Sequence, residues 1–211
     1  MIGLIGKKIG MTQVFTADNS LVGVTAIQAG PCAILMIKDK NIQLGFDSVK
    51  EKSLKKAQSG FYKKLNITPR KVIKDISKEA GVEYKVGDEL KVDLFSEGEF
   101  VDVSGISIGK GFAGGMKRWH WKGGPQTHGS TSRRRVGSIG SSTTPGRVFK
   151  GHHMPGHMGA QKVTVQNLKI IKVDLENDLL LVEGGVPGHK NGYLVVTKAL
   201  KKKSKKAAVK K

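Results

Sequence analysis

The chain has 211 residues, with 37 Lys and Arg against 17 Asp and Glu, a net charge of +20 and one cysteine. A single cysteine excludes a disulfide framework and any Cys-based zinc site, and no apolar run reaches the ~18 residues of a membrane span. The charge is uneven: residues 1–104 hold 16 Lys/Arg and 13 Asp/Glu, residues 105–173 hold 12 and none, and residues 174–211 hold 9 and 4. The middle segment is a single-sign field, which costs self-repulsion unless a polyanion neutralises it.

The opening "MIGLIGKKIGMTQVF" interrupts its apolar part with glycines and has no signal-peptide cleavage pattern. A protein that starts directly with its fold, in the cytosol or an organelle interior, is expected. Val14 and Phe15 precede a turn at "ADNS". Val22, Val24, Ala26 and Ala29 then alternate with smaller or polar residues, "GP" turns the chain, and "CAILMIK" reads as a buried strand holding Cys32 as a small apolar residue. "IQLGF" is the next strand. Val49, Leu54, Ala57, Phe61 and Leu65 then follow a helical spacing, which predicts a helix over 48–66, capped by Asp47 or Ser48 and ended by Pro69.

"KVIKDI", "DELKVDLF" and "EFVDVSGISI" resume the β pattern. After the acid-free segment come "KVTVQNLKIIKVD", a turn at "ENDL", another strand, a glycine-proline turn, and "GYLVVTKAL". Short strands with turn punctuation point to a mainly β barrel or sandwich with one helical insertion. Its core is split between residues 1–108 and 161–197. Residues 109–160 are a long glycine-rich extension, too long for a structureless loop without a function. Residues 198–211, with eight lysines and no acid, read as a disordered phosphate-binding tail.

In the extension, Gly109, Gly111 and Gly114 spell G-x-G-x-x-G, as in a dinucleotide-binding turn. Such a turn needs a helix after it and an acid about 20 residues on. "MKRWHWKGGPQTHGS" has no helical apolar period, and after Asp102 the next acid is Asp174. No cofactor is expected there. The cations are Lys110, Lys117, Arg118, Lys122, Arg133, Arg134, Arg135, Arg147 and Lys150. Interleaved are Phe112, Trp119, Trp121 and Phe149, and the histidines His120, His128, His152, His153 and His157. Cations with aromatics and no acids suit nucleic acid: Lys and Arg neutralise phosphates, and aromatics and His stack on unpaired bases. The segment is expected to order on its partner. Trp119 and Trp121 either take part in that stacking or pack on the barrel. "HHMPGHM" is not read as a metal site, because no carboxylate or thiol accompanies it. Ser130, Ser132 and His128 lack an acid to orient a base, so no catalysis is expected.

Three stretches are similar to the L-three family of large-subunit ribosomal proteins, bacterial type: "GLIGKKIGMTQVF"; "GKGFAGGMKRWHW" with "THGSTSRRRVGSIGSSTTPGRVFKGHHMPGHMG"; and "VTVQNLKIIKVD" with "NDLLLVEGGVPG". The likeness runs from Met1 to about Lys198 and is weakest over about 50–85 and in the tail. It implies a closed β-barrel of the translation-protein type. It also implies binding to large-subunit rRNA near its 3′ end, an early role in assembly, and an extension directed toward the peptidyl transferase centre. The tip matches Ser138 to Arg147, with Ser141, Ser142, Thr143, Thr144, Pro145 and Gly146 at its end. Thr143 stands where some bacterial members have a methylated glutamine, so that modification is not expected. The implied partners are the rRNA and the fourteenth and nineteenth large-subunit proteins, with no membrane, no homo-oligomer and a cytoplasmic location. Charge alone equally permits a free nucleic-acid-binding protein or RNA chaperone. The glycine motif leaves a nucleotide-dependent enzyme as a third reading.

Overall fold

The computed structural model describes residues 3–16, 18–79 and 81–202. The fold is mainly β, and the described residues form two compact units, one from residues 3–107 and 162–202 and one from residues 108–161.

In the first unit six strands close a barrel in the order β1 (Gly3–Phe15), β12 (Tyr193–Lys198), β7 (Phe100–Ile106), β10 (Lys162–Asp174), β11 (Leu179–Glu183) and β2 (Leu21–Ala29). All the pairings are antiparallel, and closure leaves no free edge. The two longest strands make closure possible by bending. β1 has an irregularity between Lys8 and Gly10, and it pairs with β12 through Gly3–Lys7 and with β2 through Gly6–Phe15. β10 shifts register between Val165 and Leu168 and again between Ile170 and Lys172, so that its first part pairs with β7 and its last part with β11. At the first shift Asn167 takes φ +59, and its N–H donates to Asp102 Oδ1 at 2.8 Å. Asp102 is only 4% exposed, and its other oxygen accepts from the Leu200 N–H at 3.3 Å.

A second sheet of four strands runs in the order β5 (Arg70–Ser77), β4 (Asn41–Ser48), β3 (Cys32–Ile37) and β6 (Glu89–Leu90). The alternation pattern alone places all these strands in one barrel. The two sheets instead share one core. Leu4, Ile5, Ile27, Val101, Val103, Ile170, Leu180 and Leu194 from the barrel belong to the same buried cluster as Ile34, Ile42 and Leu44 from the second sheet. Each such side chain contributes about 1.5–3 kcal/mol of burial, and no member of this cluster lies in residues 108–161.

Local predictions needed correction in the helix and in one strand. The helix is shorter than 48–66: a 3-10 turn covers Glu51–Ser53 and α1 covers Lys56–Leu65. Neither Asp47 nor Ser48 caps it; Lys55 is its N-cap, and Asn66 ends it in the left-handed conformation at φ 53. The buried residue of α1 is Tyr62, whose hydroxyl donates to the Arg70 carbonyl at 2.9 Å, while Ala57 is exposed. Tyr62 escaped the apolar count because a phenol anchors a helix only where its hydroxyl finds a partner. "DELKVDLF" is not one strand: β6 has two residues, and a 3-10 turn at Val92–Leu94 then drives Val92 and Phe95 into the core. Among the described residues no helix is long and apolar enough to cross a membrane.

Past β12, the Ala199 N–H donates to the Phe100 carbonyl, and the Lys202 ammonium lies 4.2 Å from the Phe100 ring centroid. The rest of the lysine tail, residues 203–211, lies outside the described residues.

Candidate nucleic-acid interface

The glycine-rich extension begins and ends on a short ladder. β8 (Gly111–Ala113) pairs antiparallel with β9 (Gly156–Met158), with Phe112 opposite His157. Both side chains are exposed, Phe112 by 80%. The chain can close here because Gly159 sits at φ +76 with its α-carbon against the opposite backbone; a Cβ there would lie 2.1 Å from the Ile108 carbonyl oxygen.

A helix does follow the glycine motif, against the expectation from apolar spacing. α2 (Gly115–Trp119) spans five residues, starts after Gly114 and ends at His120, φ 59. Packing makes it. The Trp121 ring lies so close over Gly115 that an added Cβ would sit 2.0 Å from a ring carbon. β8 lies between Gly109 and Gly114, so the motif does not form the single tight turn into a long helix that holds a pyrophosphate.

Three predicted residues come together at the C-terminal end of α2. The Trp119 and His153 rings stack with centroids 4.0 Å apart and planes 3° from parallel. The Arg118 guanidinium carbon is 4.9 Å from the Trp119 ring centroid. Arg118 Nη1 and Trp119 Nε1 both donate to the Met154 carbonyl at 2.8 Å. Trp119 and Trp121 are therefore held within their own unit. Trp119 is nonetheless 37% exposed, so the stacked pair also meets solvent. The Met154 carbonyl and Gly115 organise this cluster, and no sequence signal marked either of them.

Beyond the cluster the backbone makes few internal bonds. The Gly124 N–H donates to the Arg133 carbonyl at 3.1 Å, and Arg133 Nε donates to the Ser130 carbonyl at 3.4 Å. The Arg147 guanidinium lies 6.0 Å from the Phe149 ring centroid. At the tip, Ser141, Ser142, Thr143, Thr144, Pro145 and Gly146 are all exposed, and the Gly146 N–H donates to the Ser142 carbonyl at 3.2 Å. Lys110, Lys117, Lys122, Arg134, Arg135 and Lys150 are exposed, and their side chains make no hydrogen bond or ion pair among the described residues. The side chains of His120, His128, His152 and His157 make none either. Among the described residues no group of three His, Cys, Asp or Glu is placed to hold a metal.

The result is a surface of cations without counter-charges, beside exposed aromatic rings. It can neutralise phosphates and stack on bases. It has no carboxylate with which to orient a general base.

The family model for ribosomal protein L3 matches residues 82–178, which include the whole acid-free segment. The full chain is similar to the large ribosomal subunit protein uL3 of Brachyspira pilosicoli, 48% identical over 98% of this chain and 97% of that protein. The uL3 of Heliobacterium modesticaldum is also 48% identical, over 95% and 98% of the two chains, and that of Geobacillus stearothermophilus is 48% identical over 96% and 98%.

The chain belongs to the ribosomal protein L3 family.

L3-family proteins are structural constituents of the large ribosomal subunit and not enzymes. This agrees with a site rich in cations and aromatics that holds no carboxylate to orient its histidines. The match to L3 relatives covers nearly the whole chain, the barrel strands as well as the acid-free segment.

Proposed function

We propose that this chain is a structural constituent of the large ribosomal subunit that binds large-subunit rRNA near its 3′ end and helps to nucleate subunit assembly. Residues 109–160 form the rRNA-contacting extension, and Ser141–Gly146 lie toward the peptidyl transferase centre. The six-stranded barrel, of the kind shared with translation factors, is the platform from which the extension starts. The fourteenth and nineteenth large-subunit proteins are its protein neighbours, and it acts in the bacterial cytoplasm as part of the particle. Residues 198–211 add a basic tail.

One observation carries this reading: nine Lys and Arg between positions 110 and 150, with no Asp or Glu between 103 and 173. An isolated domain gains nothing from such a field, whereas contact with RNA turns it into affinity through counterion release. Relatives named as large-subunit proteins support the choice of RNA.

Sedimentation of cell lysate tests it. The chain is expected to travel with the large subunit and to stay there through a moderate-salt wash. Recovery at the top of the gradient, or on RNA of every kind, would point to a free chaperone instead.

A further inference from the structure

Trp121, Gly123, Gly124, Ser132 and residues 135–138 and 151–153 of the extension surround a cleft of about 640 Å³. That lies within the ~300–1,000 Å³ of sites that take a small organic ligand. Its walls are of two kinds. Trp121 and His153 are aromatic walls with restricted freedom: Trp121 is packed on Gly115, and His153 is stacked on Trp119. Arg135 is the cationic wall, and its guanidinium makes no hydrogen bond or ion pair among the described residues. Half-buried Val136 adds an apolar surface, and Ser132 and Gly124 add small polar ones. No carboxylate lines the cleft.

These walls specify a ligand with a flat ring and an anionic group on one short frame. An inorganic phosphate leaves both rings unused. A stacked or paired strand presents base edges and backbone, with its ring faces covered. A base that has left its stack presents a ring face with its own phosphate attached.

We infer that this cleft takes one extruded nucleotide of the bound RNA, its base against Trp121 and His153 and its phosphate toward Arg135. The inference rests on the RNA-binding reading of residues 109–160. It adds that one nucleotide is singled out, by shape, from the many whose phosphates are neutralised.

The test uses large subunits assembled in cells with the full-length chain, wild type, Val136→Trp or Arg135→Gln. Purified particles are probed with dimethyl sulfate and with a 2′-hydroxyl acylating reagent. Val136→Trp fills the cleft, so one nucleotide is expected to gain reactivity by roughly five-fold or more, the change expected when a base no longer stacks on the protein. Arg135→Gln keeps the cleft open and is expected to give a smaller gain at the same nucleotide. Wild-type reactivity at every position in both variants overturns the inference, as does a diffuse change with no single maximum. If Val136→Trp particles do not assemble, Arg135→Gln decides alone by the same criterion. A wild-type chain that does not sediment with the subunit overturns the RNA reading itself. One that sediments normally, while neither variant exposes a nucleotide, overturns only the cleft.

Discussion

Asp102 shows how one residue can hold a strand irregularity in place. Its carboxylate accepts the Asn167 N–H, where β10 shifts register, and the Leu200 N–H, just past β12. Asp102→Ala leaves two backbone donors without partners in a site that is only 4% exposed. It is expected to destabilise the chain by about 1–3 kcal/mol, read as a lower urea midpoint with unchanged slope. A shift too small to measure would mean that water replaces the carboxylate. Cys32 illustrates the opposite environment. Its thiol is fully buried, with Sγ 3.3 Å from the Ile5 carbonyl, and burial pushes its pKa up to about 12. Thiolate is the nucleophile, so the folded chain at pH 8 is expected to resist iodoacetamide until denaturant is added. Fast labelling of the native protein would show that β3 opens locally.

At the scale of elements, the acid-free segment is organised close to its ladder and sparsely bonded toward its tip. Arg133, Arg134 and Arg135 follow one another along that loop, and only Arg133 makes an internal hydrogen bond with its side chain. Changing all three to Gln is expected to flatten the dependence of log affinity for RNA on log salt by about 0.7–0.9 for each phosphate no longer neutralised. An unchanged slope would mean that these arginines do not touch phosphates. The tip, Ser141–Gly146, is exposed and has no general acid or base at neutral pH. It is therefore expected to act by position. Thr143→Ala should leave peptidyl transfer intact, whereas Thr143→Trp should perturb nearby bases and alter transfer or antibiotic sensitivity. A Thr143→Ala particle inactive in peptidyl transfer would give the hydroxyl a chemical role, and a silent Thr143→Trp would move the tip away from the centre.

For the whole molecule, the hydrophobic cluster of the first unit draws no member from residues 108–161. Replacing residues 112–158 by a short Gly/Ser linker is expected to leave a cooperative thermal transition, because the barrel and second sheet keep their burial. Broad, non-cooperative melting would show that the core depends on the extension.

Most of the strands of the first unit, the split of charge, and the cation-aromatic character of residues 109–160 were legible in the sequence, because alternation and charge are properties of neighbouring positions, whereas the two-residue β6 and the short β8 and β9 ladder were not. Partition of the strands into a six-stranded barrel and a four-stranded sheet was not legible. Both sets carry the same period-two pattern, and only long-range pairing separates Ile34 and Leu44 from Ile27 and Leu180. The same limit applies in the extension. The sequence supplied Arg118, Trp119, Trp121, Arg135 and His153 as separate candidates. Only the tertiary structure decided that Trp119 stacks on His153, that Arg118 shares the Met154 carbonyl with Trp119, and that Trp121 and Arg135 line a common cleft. The reason is physical: α2 exists because Trp121 packs on Gly115, a meeting of two residues that neither helix propensity nor apolar spacing registers.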